Sequence, residues 1–139
     1  MKAVIIEAAC FMSMDGMDIH IDKDNLEKAS SLSKKGYYTV LACGRPRNGN
    51  DFYIDAFKYA KALFDMKTCK VNKGVIERTS NDNLFTYPNT GMFELVLMQA
   101  SRDGINSMSD ITFVGCDDLH AQAAKNAGCL YRDINSLES

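Results

Sequence analysis

Three places in the sequence gather side chains able to do chemistry. Glu7 directly follows the apolar run Ala3-Val4-Ile5-Ile6, and Cys10 lies just beyond it. Cys43 follows the β-rich stretch Tyr37–Leu41. Cys116, Asp117 and Asp118 follow Ile111–Val114, with His120 one helical turn beyond Cys116. Thiolates and an imidazole suit zinc, so Cys10, Cys43, Cys116 and His120 form a candidate zinc set. Glu7, Asp117 and Asp118 offer the hard oxygen donors that magnesium takes. A thiol in such a cluster is also a candidate redox sensor, provided that its surroundings favour the thiolate. The plainer alternative is that the thiols are small apolar fillers, as buried free cysteines are. No CxxC pair or other local ligand spacing supports zinc.

Two loops add weaker signals. Arg45 and Arg47 stand in a Gly/Pro-containing loop with Asn48 and Asn50, directly after the second β-rich stretch. Paired guanidinium groups there offer a contact for an anionic partner, nucleic-acid phosphate included; a solvated loop is the competing reading. Met12, Met14 and Met17 cluster with Phe11 and Ile19. Exposed methionines suit an adaptable protein-binding surface, and a small flap packed over a cleft is the equal alternative. Asp15, Asp18, Asp22 and Asp24 lack the fixed Asp-x-Asp-x-Asp-Gly run of a calcium loop and read as solvated.

The elements that would position these residues follow from hydrophobic patterning. Ala3–Ile6 and Ile111–Val114 are continuous apolar runs, as strands buried on both faces are. Residues 11–22 read as irregular. A helix follows with Asp24 as N-cap and Leu26, Ala29, Leu32 and Ser33 on one face, ending at Gly36. Tyr37–Leu41 reads as the second strand. A helix from about Asp51 to Met66 buries Phe52, Ala56, Ala60, Leu63 and Phe64, with Tyr53 and Phe57 widening the stripe. A short strand is expected around Val75-Ile76, a helix over Thr90–Arg102, another over Asp117–Asn126 capped by Gly128, and a last strand at Cys129–Tyr131. Strands alternating with helices predict a parallel sheet covered on both faces: a three-layer, doubly wound α/β domain spanning 1–139. In such sheets the site lies at the strands' carboxyl ends, which here carry Glu7–Cys10, Ala42–Gly44 and Gly115–Asp118.

Composition sets the frame. The 139 residues suit one domain, and 46% hydrophobic residues is ordinary for a globular chain. A net charge of −2 supplies no general basic field for nucleic acid. The five cysteines are odd in number and irregularly spaced, and no apolar run approaches the ~20 residues of a membrane span. A soluble protein of a reducing compartment, the cytoplasm, is expected.

Three stretches resemble the haloacid dehalogenase (HAD) superfamily, most closely its small-capped phosphatases of the histidinol-phosphate type and the phosphatase half of polynucleotide kinases. KAVIIEAAC stands where the family writes a strand followed by Asp-x-Asp-Gly. Tyr87-Pro88-Asn89-Thr90-Gly91-Met92 is similar to its Lys-Pro-x-x-Gly-Met. ITFVGCDDLHAQAAKNAG, residues 111–128, is similar to its strand, Val-Gly-Asp and helix ending Lys-Ala-Ala-Gly. The resemblance implies a Rossmann-like HAD core with minimal or no cap. It also implies a chemistry of nucleophilic Asp, general-acid Asp, phosphate-binding hydroxyl and lysine, and Mg²⁺-binding acids.

Position by position that chemistry is missing. Glu7 stands for the nucleophile, Ala9 for the general acid, Ala42 for the hydroxyl, Tyr87 for the lysine and Cys116 for the first metal-binding acid; His120 falls where a further acid often lies. One added methylene moves a carboxylate by about 1.5 Å, and a misplacement of about 1 Å can cost ~100-fold in rate. A lost general acid costs roughly another 10²–10⁴. One register alternative, Ser13-Met14-Asp15-Gly16-Met17 as a Ser-substituted Asp-x-Asp-Gly-Thr, needs the first strand to run on to Met12. The expectation is a catalytically inactive pseudophosphatase that binds another macromolecule, a protein or nucleic acid, such as a viral or phage accessory protein. It needs no cofactor. The alternatives are a slow Mg²⁺-dependent phosphatase using Glu7 with Asp117 or Asp118, and a thiol-based metal or redox sensor.

Overall fold

The structure is a computed structural model describing residues 2–16, 18–44, 52–76, 87 and 89–137. The apolar run at the start forms β1 (Ala3–Glu7), every residue of which is buried. After the hairpin strands β2 (Met12–Asp15) and β3 (Asp18–Ile21) come α1 (Lys23–Lys34), β4 (Tyr38–Cys43), α2 (Tyr53–Thr68), β5 (Lys73–Ile76), α3 (Gly91–Ala100), β6 (Ile111–Gly115), α4 (Asp118–Ala127) and β7 (Leu130–Asp133). The described residues make a five-stranded parallel sheet in the order β5-β4-β1-β6-β7. β1 is central because it is apolar on both faces. Val4 and Ile6 enter one core cluster with Leu26, Ala29 and Leu32 of α1 and Ala56, Phe57, Ala60 and Phe64 of α2. Ala3 and Ile5 enter the other with Met92, Phe93 and Val96 of α3 and Ala123 and Ala124 of α4. Each fully buried large aliphatic chain contributes about 1.5–3 kcal/mol, so this alternation fixes the strand's place and register.

Three expectations change. Residues 11–22 are ordered: β2 and β3 pair antiparallel, with Asp15 opposite Asp18 and Gly16 at φ +61° in the tight turn. Met12 is buried, while Met14, Ile19 and Ile21 pack partly buried on the α1/α2 cluster. These side chains therefore form a flap on the core; Met17 lies outside the described residues. The register alternative through Ser13 fails, because β1 stops at Glu7, the chain turns through a 3₁₀ segment at Ala8–Cys10, and β2 belongs to a different sheet. The cap of α1 is Asp22, not Asp24. Its carboxylate accepts from the Asn25 amide at 3.0 Å, leaving the Asn25 side chain to donate to the Cys10 carbonyl at 2.8 Å. That bond ties α1 to the turn that follows β1. Finally, Phe52 precedes α2 and is 45% exposed, so the inner stripe is carried by Tyr53, Ala56, Phe57, Ala60 and Phe64.

A polar knot closes the far end of α2. Asp65 accepts from Lys61 Nζ at 2.7 Å, from the Asn72 amide at 3.0 Å and from Asn72 Nδ2 at 2.9 Å. The buried Asn72 accepts in turn from Ser33 Oγ of α1 at 3.0 Å. Buried polar groups must be satisfied, and this arrangement joins α1, α2 and the entry to β5. No helix among the described residues is long and apolar enough to cross a membrane.

Candidate functional site

Because β1 lies between β4 and β6, the carboxyl ends of these three strands meet. β1 ends on Glu7, β4 on Cys43 followed by Gly44, and β6 on Gly115 followed by Cys116. Glu7 pairs in register with Ala42. Its side chain is 1% exposed. One carboxylate oxygen accepts from the Gly44 amide at 3.2 Å and, more weakly, from the Ala9 amide at 3.4 Å. The other accepts from the same Gly44 amide at 3.2 Å and from the Tyr87 hydroxyl at 2.6 Å.

Tyr87 takes this place through its aromatic neighbours. Its ring packs against Phe93, Phe113 and His120, with centroids 6.1, 5.5 and 5.2 Å away. Two glycines make room. A Cβ on Gly44 would stand 2.5 Å from Tyr87 Cε2, and one on Gly115 would stand 2.5 Å from His120 Cβ. Both are therefore glycines of close approach, placed where the rings press on the strand ends.

The electrostatics follow from burial. Desolvation lifts the Glu7 carboxyl to about 7, against the opposing effects of His120, Tyr87, Gly44 and Ala9. Burial and the Glu7 charge push Tyr87 well above the usual phenol range, so it stays a donor. His120 Nδ1 accepts from the Cys116 amide at 3.0 Å and lies 3.8 Å from Cys116 Sγ. Burial opposes its protonation, but Cys116, Glu7 and Asp117 outweigh burial and raise its pKa. The Cys10 thiol lies 3.6 Å from the Val114 carbonyl. The neighbouring Cys10 thiol, with help from His120, lowers the Cys116 thiol, while Cys116 and burial raise Cys10.

The structure thus brings together Glu7, Tyr87 and His120, with Cys116 and Cys10 beside them. Ala42 is buried next to Glu7 and carries no hydroxyl. Ala9 is exposed, and only its backbone amide reaches Glu7. Cys43 is buried in the α1/α2 cluster with its thiol on the Gly44 carbonyl at 3.5 Å. Asp117 is the N-cap of α4, accepting from the His120 amide at 2.9 Å, and Asp118 is exposed in the first turn. Arg45 and Arg47 lie outside the described residues. Sequence reasoning placed Gly44 at a strand end of the site but missed its contribution, a backbone N–H donated to Glu7. The only trace of it in the sequence is a glycine directly after the strand.

Both Glu7 oxygens accept from protein donors, and Asp117 accepts from the His120 amide as the cap of α4. Among the described residues no group of three His, Cys, Asp or Glu side chains is arranged to hold a metal ion.

Solved structures share this fold. D,D-heptose 1,7-bisphosphate phosphatase from B. bronchiseptica, complexed with magnesium and phosphate, matches 94% of this chain and 79% of its own with a TM-score of 0.69 and 16% identity. The enzyme of the same name from Burkholderia thailandensis matches 93% of this chain and 75% of its own, with a TM-score of 0.59 and 17% identity. No protein-family model matches the sequence, and no curated protein matches it. The chain has the Rossmann-like α/β fold of these two structures.

Proposed function

We propose that this HAD-like chain does not transfer phosphoryl groups and works by binding another macromolecule. The observation that carries this reading is the filled strand end. Glu7, in the nucleophile's position, is buried and bound by Tyr87, Gly44 and Ala9. A carboxylate that attacks phosphorus needs a free, ionised oxygen and cationic neighbours for the transferred group. Here the carboxyl is lifted to about 7. The ring of Tyr87 stands in place of a lysine, and Ala9 has no proton to give a leaving group. The described residues hold no group of three acidic, thiol or imidazole side chains arranged for a metal such as the magnesium of the B. bronchiseptica enzyme. Function lives in the site and not in the fold, and this site retains the scaffold without the charges.

The binding role draws support from α2. Phe52, Tyr59 and Met66 recur at seven-residue spacing and are 45%, 51% and 74% exposed. That spacing keeps them on one side of the helix, and an aligned apolar stripe, unlike scattered exposed residues, suits a protein partner. The cysteines are free thiols, as expected in the reducing cytoplasm, where we place the protein.

Phosphate release from an aryl phosphate and from 3′- and 5′-phosphorylated oligonucleotides, with and without Mg²⁺, tests the reading. The expected result is background turnover for the wild type and for Glu7→Gln alike. Mg²⁺-dependent turnover that disappears in Glu7→Gln would establish a slow phosphatase instead.

A further inference from the structure

We propose that Cys116 and Cys10 form a peroxide-responsive thiol pair, in which Cys116 is oxidised first and Cys10 closes a disulfide between the ends of β6 and β1. The two strands are neighbours in register, with Ile6 beside Val114. Beyond them the chain carries Cys10 in its 3₁₀ turn and Cys116 in the step into α4. Cys10 Sγ lies 3.6 Å from the carbonyl of Val114, which stands two residues before Cys116. Thiols carried just beyond adjacent strand ends are placed for closure, whereas cysteines set far apart cannot be bridged without backbone shifts.

The roles within the pair follow from exposure and neighbours. Cys116 is partly exposed and Cys10 is buried, so an oxidant meets Cys116 first. Cys116 directly precedes the N-cap of the ten-residue α4, and His120 Nδ1 lies 3.8 Å from its sulfur. A helix N-terminus and an imidazole both favour the thiolate, which is the reactive form. The adjacent Asp117 carboxylate acts in the opposite direction but is engaged as the cap. The other thiols lack this setting. The thiol of Cys43 is buried on the Gly44 carbonyl, that of Cys69 is exposed on the Met66 carbonyl, and that of Cys129 is raised to about 11 by burial.

The chemistry balances with hydrogen peroxide as the two-electron oxidant. The Cys116 thiolate attacks one peroxide oxygen, the O–O bond breaks, and the departing hydroxide takes a proton to become water. The resulting sulfenic acid is attacked by the Cys10 sulfur; an S–S bond forms, the S–O bond breaks, and the hydroxyl leaves as water with the Cys10 proton. Two thiols and one peroxide thus give one disulfide and two waters. The disulfide would tether the turn that carries the Ala9 amide to Glu7 and the Cys10 carbonyl to Asn25. The proposal does not depend on whether the protein turns over phosphate.

Each cysteine falls on its own tryptic peptide: 3–23, 36–47, 68–70, 103–125 and 126–132. The reduced chain is treated with stoichiometric hydrogen peroxide, alkylated and digested without reduction. The expected product is peptide 3–23 cross-linked to 103–125. In Cys10→Ser, dimedone should label 103–125 as a trapped sulfenic acid. In Cys116→Ser, loss of the Cys10 thiol should slow by roughly tenfold or more, since burial keeps the Cys10 thiol protonated and shields it from the oxidant. First modification at Cys69, a cross-link to any other peptide, or unchanged loss of Cys10 in Cys116→Ser would overturn the proposal. The wild-type cross-link is read without any variant, so a variant that fails to fold does not decide the result.

Discussion

Glu7 and Asp65 are both acids gripped by several donors, yet the two ends of the molecule treat them in opposite ways. At the end of α2, burial works against the Asp65 charge, but the Lys61 ammonium and two Asn72 donors overcome it and hold the carboxyl below its usual range. At the end of β1, the donors to Glu7 are a phenol and two backbone amides, and burial wins, lifting the group to about 7. Asp65 is an ionised strut. Glu7 is a fully buried carboxyl held well above the usual carboxylate range. The contrast teaches that depth of burial sets the balance: Asp65 is partly open to solvent and touches a cation, whereas Glu7 is fully buried and its donors do not offset its desolvation.

The largest test of this contrast is pH. Glu7 has a folded pKa of about 7 against a model value of 4.5. Its contribution is therefore fully present below about pH 4.5 and is lost as pH rises to about 7, a change of roughly 3 kcal/mol. Urea unfolding between pH 4.5 and 8 should show this decline in the wild type and a flatter profile in Glu7→Gln. An equal slope in both would mean that Glu7 is not the group responsible. Asp65, with its lowered pKa, works the other way: its contribution is present above the model value of 3.8 and fades as pH falls through the folded pKa.

Tyr87→Phe removes the phenol donor from a buried oxygen and should cost about 2 kcal/mol. It should also raise the Glu7 pKa further, because the Tyr87 bond favours the ionised form. Carboxyl-carbon NMR titration reads this directly, and an unmoved Glu7 titration would show that the hydroxyl has no hold on it. The smallest expected effect is at Asp65→Asn, about 1 kcal/mol at neutral pH after discounting for solvent at a partly exposed ion pair. That loss should shrink in acid, where the wild-type carboxylate is itself protonated. A loss that stays constant down to acid pH would assign the role of Asp65 to shape and not to charge.

The parts of this contrast differ in how far the sequence reveals them. The buried strands Ala3–Ile6 and Ile111–Val114 are legible because continuous apolar runs have few other uses. The helix stripe of Leu26, Ala29, Leu32 and Ser33 is legible for the same kind of reason, and all four are buried. The β2–β3 hairpin is not. Its four-residue strands contain two aspartates, a serine and a histidine, so local composition hides a pairing that the flap's contact with the core stabilises. The site is legible as a set of positions: Glu7, Tyr87, Cys116 and His120 do meet. What each of them touches is not legible. The Glu7–Gly44 contact is made by a backbone amide, and the Tyr87–Glu7 bond joins residues 80 apart in sequence. Asp22 takes the cap from Asp24 because either could serve locally, and only the Asn25–Cys10 bond distinguishes them.

The register of β1 also has a consequence for synthesis. Ile5 pairs with Val40 on one side and with Phe113 on the other. The first partner is made early, but the second emerges more than a hundred residues after β1. At ribosomal rates of about 5–20 residues per second that interval lasts roughly 5–20 s. Throughout it, one backbone edge of this fully buried strand has no native partner. The nascent chain is then most exposed to unwanted strand pairing, and the arrival of Ile111–Gly115 ends that exposure.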